Sequence, residues 1–191
     1  MNQTTLDNNG KRILDATCSY ARVWPKHATI RIDIRPEVNP DYTMDAKNLT
    51  FEDESFDEIY CDPPHLFRKG EHKTESIKRR LTGRKSPGFW QRYGYWNSKE
   101  DWIEFVTKTN ESFARVLTDN GLLHYKITES SSSITLKDLV TRMDNFNLIS
   151  DTQKDSNSNL GTGNVHYLTF EKRTTDEQIF DREMESRSEK Y

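Results

Sequence analysis

The chain predicts an α/β fold: a mostly parallel sheet with helices on both faces and an antiparallel hairpin at its C-terminal end. Three observations carry this. Short apolar runs alternate with helical segments, as parallel strands joined by crossovers require. The runs "RILDATC", "ATIRIDI" and "SFDEIYC" each lead into an acid, Asp15, Asp33 and Asp62. The last two runs, "FNLIS" and "NVHYLTFEK", flank a polar, glycine-containing stretch that suits a hairpin loop. A length of 191 residues accommodates one domain with a sizeable core and is too short for two with a linker.

The elements follow in order. Residues 1–11 form a polar leader, and the domain spans 12–173. Arg12 to Cys18 predicts the first strand and Ala28 to Ile34 the second. Between them Ser19 to Trp24 leaves room for a short helix that Pro25 closes. Pro36 and Pro40 bracket the approach to a brief run at Tyr42 to Met44, and Ser55 to Cys61 alternates into another strand. The strongest helix starts at Ser98, an N-cap with Asp101 three residues on. Trp102, Phe105, Val106, Phe113 and Val116 recur there at helical spacing, and Gly121 is expected to end it. Leu122 to Ile127 is the next strand and Thr135 to Met143 the next helix. The charge-dense tail, 174–191, reads as a frayed or partly helical appendage.

With 32% hydrophobic and 31% charged residues, the core must be economical. A net charge of −3 by itself points to no nucleic-acid partner, so any electrostatic argument rests on how charge is distributed. Two cysteines, Cys18 and Cys61, make no disulfide scaffold, and no Cys/His group has zinc-ligand spacing, so no metal is expected. The N-terminus lacks the apolar core of a signal peptide, and no apolar run approaches the roughly 20 residues that span a bilayer. The chain therefore reads as cytoplasmic, with no membrane partner.

In open parallel sheets ligands bind outside the carboxyl ends of the strands, where Asp15, Asp33 and Asp62 fall. Asp33 follows Asp15 by 18 residues, close to the spacing at which an acid after the second strand meets a nucleotide's ribose; the alternative is a pairing with Arg31 or Arg35. The first loop, "DATCSYAR", has no glycine, which excludes a phosphate-cradling P-loop; a cofactor without phosphates suits its small residues better. In "DPPH", Asp62 to His65, two prolines fix the backbone and remove two donors. The carbonyls of Asp62 and Pro63 can thus point into a site, or the tripeptide is only a turn.

Together, "ILDATC", "DIRPE", "FDEIYCDPPHL" and "GLLHYKI" resemble the class I S-adenosylmethionine-dependent methyltransferases, which have a Rossmann-like sheet. The closer resemblance is to the nucleic-acid amino-methyltransferases with an Asp/Asn/Ser-Pro-Pro-aromatic motif, especially small stand-alone bacterial and phage members. It covers Arg12 to Phe170 and implies S-adenosylmethionine as cofactor. Asp15, Ala16, Thr17 and Cys18 would border its methionine part, Asp33 and the adjoining Ile34 would lie at the ribose, and Asp45 near the adenine amino group. Asp62, with Pro63, Pro64 and His65, would form the catalytic motif and receive an exocyclic amino group of adenine or cytosine in DNA or RNA. His65 stands where the family carries Tyr, Phe or Trp. Its imidazole can stack on a base, take up a proton, or merely cap the loop. A methyltransferase-like fold that binds nucleic acid or protein without catalysis is the alternative.

Residues 66–97 form an insertion with nine basic residues against Glu71 and Glu75, a formal +7 that leaves about −10 on the remainder. Arg68, Lys69, Arg79, Arg80, Arg84 and Lys85 are suited to phosphates, and the interleaved Trp90 and Tyr93 to bases. The pattern reads as a substrate arm for nucleic acid, although its aromatic end could instead pack on the sheet or form a subunit contact. A homodimer is one arrangement open to so small a body with no separate recognition domain, and no residue pattern argues for it. Cys61, beside the motif, is a weaker nucleophile candidate, because the Pro-Pro turn belongs to amine chemistry.

Overall fold

A computed structural model describes residues 6–19, 27–65, 67, 94–129, 134–155 and 164–174. Among the described residues seven strands form one sheet: β1 (Ile13–Asp15), β2 (Ile30–Asp33), β3 (Tyr42–Thr43), β4 (Phe56–Cys61), β5 (Leu117–Thr128), β6 (Phe146–Asp155) and β7 (Asn164–Lys172). Their order is β3-β2-β1-β4-β5-β7-β6. Strands β1 to β5 pair in parallel, and β7 runs antiparallel to both β5 and β6. The chain winds from β1 outward to β3, then restarts at β4 on the other side of β1. The switch point therefore lies between the carboxyl ends of β1 and β4, where such sheets bind ligands.

Helix α1 (Lys99–Val116) is capped as its sequence predicts, with Asp101 N donating to Ser98 Oγ at 3.1 Å. Its apolar stripe, Trp102, Phe105, Val106, Phe113 and Val116, is buried with Leu14, Ile59, Cys61, Leu123 and Tyr125. The short helix α2 (Leu136–Val140) adds Leu139 to the same core and begins with a capping box between Thr135 and Asp138. The opposite face carries a separate small cluster of Ile13, Ala28 and Tyr60, to which no described helix contributes. The expected helix at 19–24 and the tail fall almost wholly outside the described residues, as do residues 1–5 of the leader.

The first strand and helix α2 are shorter than expected, ending at Asp15 and Val140 rather than Cys18 and Met143, and two other boundaries differ more. Helix α1 stops at Val116, not at Gly121, because Leu117 is already paired with Phe56 of β4 and fully buried. The β4–β5 ladder then shifts register between Leu117 and Leu122. Gly121 serves that irregularity: a Cβ there would lie 2.5 Å from Leu117 Cγ. Strand β6 also runs on through polar residues to Asp155, since its ladder with β7 needs backbone groups only and it lies at the sheet edge. No helix among the described residues is long and apolar enough to cross a membrane.

Candidate active site

The loop after β1 is stitched to both neighbouring strands. Ala16 N donates to Tyr60 O at 2.8 Å and Cys18 N to Ile32 O at 3.1 Å. Thr17 Oγ1 accepts from Asp62 N at 2.7 Å, which ties this loop to the Asp-Pro-Pro turn. Ser19 has φ of 50°, the left-handed region that glycine adopts without steric cost, and its N–H donates to Asp33 Oδ2 at 3.0 Å. The glycine-free loop thus makes its turn with a serine held by the β2 acid.

Three carboxylates meet at the ends of β1, β2 and β4. Asp15 is 1% exposed; Oδ1 accepts from Thr17 N at 3.2 Å, and Oδ2 is buried with no hydrogen-bond partner among the described residues. Burial pushes its carboxyl up to about 7; the Thr17 N–H and Arg31 oppose the rise, while Asp62 and Asp33 add to it. Such an oxygen, buried and unsatisfied, suits a cationic partner, and an ammonium group supplies one.

Asp33 is differently placed. Arg35 holds it through Nε to Oδ1 at 2.9 Å and Nη2 to Oδ2 at 3.0 Å, and the Arg35 and Ser19 backbone N–H groups take one further site on each oxygen. Its capacity of about four acceptor sites is therefore filled, so the pairing with Arg35 weighed in the sequence is the one present. A ribose diol can reach Asp33 only if Arg35 gives way. The adjoining Ile34 is 66% exposed and offers an apolar surface beside it. Asp45 caps the 3-10 turn Ala46–Asn48, accepting from Lys47 N at 2.9 Å through Oδ1.

At the end of β4, Asp62 Oδ2 receives Lys126 Nζ at 2.7 Å. Tyr60 pairs with His124 across the β4–β5 ladder, so Lys126 and Asp62, each two residues further along, come level. Sequence reasoning missed Lys126; the alternation in "LLHYKI" is the signal that places it on the His124 face.

The Pro-Pro turn is braced from α1's side. Trp96 Nε1 donates to the Pro64 carbonyl, and its ring lies 5.0 Å from Phe105 of α1. Gly94, at φ of 77°, packs so closely that a Cβ would stand 3.0 Å from Pro64 Cγ. Phe67 and Trp96 form a bridge, so the 66–97 insertion leaves and returns beside Pro64. Its Arg68, Lys69, Arg79, Arg80, Arg84, Lys85, Trp90 and Tyr93 lie outside the described residues.

His65 is half-buried, and burial holds its imidazole below the ordinary value; Asp62 opposes this and Lys126 reinforces it. The ring is thus neutral near pH 7 and can accept a proton. Cys61 is fully buried, and burial together with Asp62 and Asp15 pushes its thiol up, so it is no nucleophile; its polar neighbour is the Tyr125 hydroxyl. Among the described residues, no group of three or more His, Cys, Asp or Glu side chains could hold a metal ion.

No protein-family model and no curated protein sequence matches the chain. Solved structures do. The N-methyltransferase NodS from Bradyrhizobium japonicum, in complex with S-adenosylhomocysteine, matches with a TM-score of 0.55 at 10% identity, over 86% of this chain and 79% of that one. A geranyl diphosphate C-methyltransferase from Streptomyces coelicolor matches at 0.55 and 5% identity, over 89% and 76%. An S-adenosylmethionine-dependent methyltransferase from Methanosarcina mazei matches at 0.52 and 12%, over 85% and 92%. The chain has the class I methyltransferase fold. Its neighbours include both an N- and a C-methyltransferase, so the fold does not choose the acceptor.

Proposed function

We propose that the chain is an S-adenosylmethionine-dependent methyltransferase acting on an exocyclic amino group of adenine or cytosine in DNA or RNA. The observation that carries this is Asp15's orphan buried oxygen, set between Asp33 and Asp62 at the switch point of a methyltransferase fold. S-adenosylmethionine supplies an electrophilic methyl group on a sulfonium centre. Asp15 would hold the ammonium of its methionine part, bordered by Ala16, Thr17 and Cys18; Asp33 and Ile34 would lie at the ribose, and Asp45 near the adenine.

The chain's own residues then present the acceptor. The lone pair of an exocyclic amine is delocalised into its ring. Hydrogen bonds from its two N–H groups to Asp62 and the Pro63 carbonyl favour a pyramidal nitrogen whose lone pair is available. Thr17, holding Asp62 N, and Trp96 and Gly94, bracing Pro64, keep these acceptors in place, and such positioning is where most of the rate gain would arise. Neutral His65 can stack on the base or take up the proton. The basic and aromatic insertion supports a nucleic-acid partner, its cations meeting phosphates and Trp90 and Tyr93 the bases. A single strand spares the few kcal/mol of base flipping.

The test is transfer of labelled methyl onto separated DNA, RNA and protein. Label on adenine or cytosine amino groups is expected; label on protein alone would overturn the acceptor assignment.

Asp33's saturation by Arg35 favours a second reading, a catalytically silent binding subunit. The two readings part on Arg35→Ala. In an enzyme, the variant frees two acceptor sites on Asp33 and tightens S-adenosylmethionine binding by about fivefold in titration calorimetry, roughly one hydrogen bond's net worth. In a silent subunit, neither protein binds it.

A further inference from the structure

The proposed chemistry needs an acceptor at Asp62 but gives no part to the cation that already sits on it. Lys126 Nζ lies 2.7 Å from Asp62 Oδ2, with the two side chains 26% and 30% exposed, so the pair is shielded from water without being cut off from it. The second carboxylate oxygen, Oδ1, would then take the acceptor role. We propose that Lys126 is the specificity-determining residue of this site: by neutralising Asp62 it admits the N–H of an uncharged amine and turns away protonated alkylamines. This rests on the methyltransferase reading above and deepens it.

The electrostatics are direct. A bare carboxylate at the bottom of a half-buried site attracts any cation, and lysine side chains and polyamines are cations at neutral pH with no lone pair to donate. Paired with Lys126, Asp62 carries no net charge to draw them, and an incoming ammonium would stand within a few ångströms of a like charge. An exocyclic amine on a ring is neutral at the same pH and loses nothing by meeting the pair, since Oδ1 still accepts its hydrogen. His65, neutral beside both groups, adds no compensating charge. Asp15 also acts electrostatically on Asp62, but burial favours its neutral form while the cofactor is absent, and the cofactor's ammonium would match its charge once bound.

The transfer balances on these groups. The acceptor nitrogen's lone pair forms the new N–CH3 bond, the S–CH3 electron pair stays on sulfur as a neutral thioether, and one N–H proton leaves to water by way of Asp62 or neutral His65.

The experiment uses the full chain as wild type, Lys126→Met, Lys126→Arg and the double variant Asp62→Asn/Lys126→Met. Two quantities are read: spermidine binding by calorimetry without cofactor, and the ratio of kcat/KM for a polylysine peptide to that for an adenine- and cytosine-containing single strand. Lys126→Met is expected to bind spermidine at least about tenfold more tightly and to raise the ratio by a similar factor, which is about 1.4 kcal/mol. Lys126→Arg is expected to behave as wild type. The double variant, neutral again and with an amide oxygen as acceptor, is expected to return toward the wild-type ratio. An unchanged ratio and unchanged spermidine affinity in Lys126→Met, with an active wild type, would overturn the role of Lys126 alone. A double variant no different from Lys126→Met would also overturn it, because charge would then not be the cause. A wild type that binds cofactor and methylates neither acceptor would overturn the parent reading and this proposal together.

Discussion

Asp62→Ala is expected to lower methyl transfer by at least about 10³-fold while leaving the fold and any nucleic-acid binding in place. The size follows from what would be lost on the proposed function: the side-chain acceptor for the amine and for the positive charge developing on nitrogen. The fold should survive because the backbone bond from residue 62 N to Thr17 Oγ1 does not depend on the side chain, and Lys126, partly exposed, can turn to water. Single-turnover transfer, circular dichroism and a nucleic-acid binding isotherm on one preparation check all three. An Asp62→Ala protein that still methylates at a tenth of the wild-type rate would remove Asp62 from the chemistry.

Asp15→Asn separates stability from function and has a pH signature. Asp15 carries a folded-state value of about 7 against an ordinary 3.8, so the folded state holds its proton when the unfolded chain has released it. That stabilisation is complete below about pH 4 and is lost as pH rises to 7, an amount of about 4 kcal/mol. Asparagine does not titrate. Urea unfolding at pH 4, 6 and 8 should therefore show Asp15→Asn gaining on the wild type by up to that amount between pH 4 and 8. The same variant should bind S-adenosylmethionine at least about tenfold more weakly, having lost a charge-assisted hydrogen bond. Parallel stability profiles would mean that Asp15 is not a buried acid in the free protein. A carboxylate kept at a cost to the fold is what a site for a cation calls for.

How much of this was legible in the sequence divides along local and non-local lines. The N-cap at Ser98, the α1 stripe and the acids ending β1, β2 and β4 are local patterns, and all stand where the residues put them. What a strand meets across the sheet is not local. Lys126 reads as one residue of an alternating strand until β5 is set beside β4, and only the register brings it level with Asp62. The end of α1 was misplaced for the same reason: Gly121 looks like a helix terminator, but pairing of Leu117 with Phe56 takes the chain into the sheet first. At Asp33 the residues allowed a ribose contact or a partner arginine, and the bidentate geometry of Arg35 could be known only from the folded loop. Ser19 gave no sign of its left-handed conformation, since serine has no preference for it.

The central claim is tested most directly by titrating the wild-type chain with S-adenosylmethionine in a calorimeter at pH 6 and pH 7. Saturable binding at one site is expected, tightening about fivefold over that unit as Asp15 gives up its proton to receive the ammonium. No detectable heat at millimolar cofactor would contradict the assignment of this fold to methyl transfer, and pH-independent binding would contradict the place given to Asp15 within it.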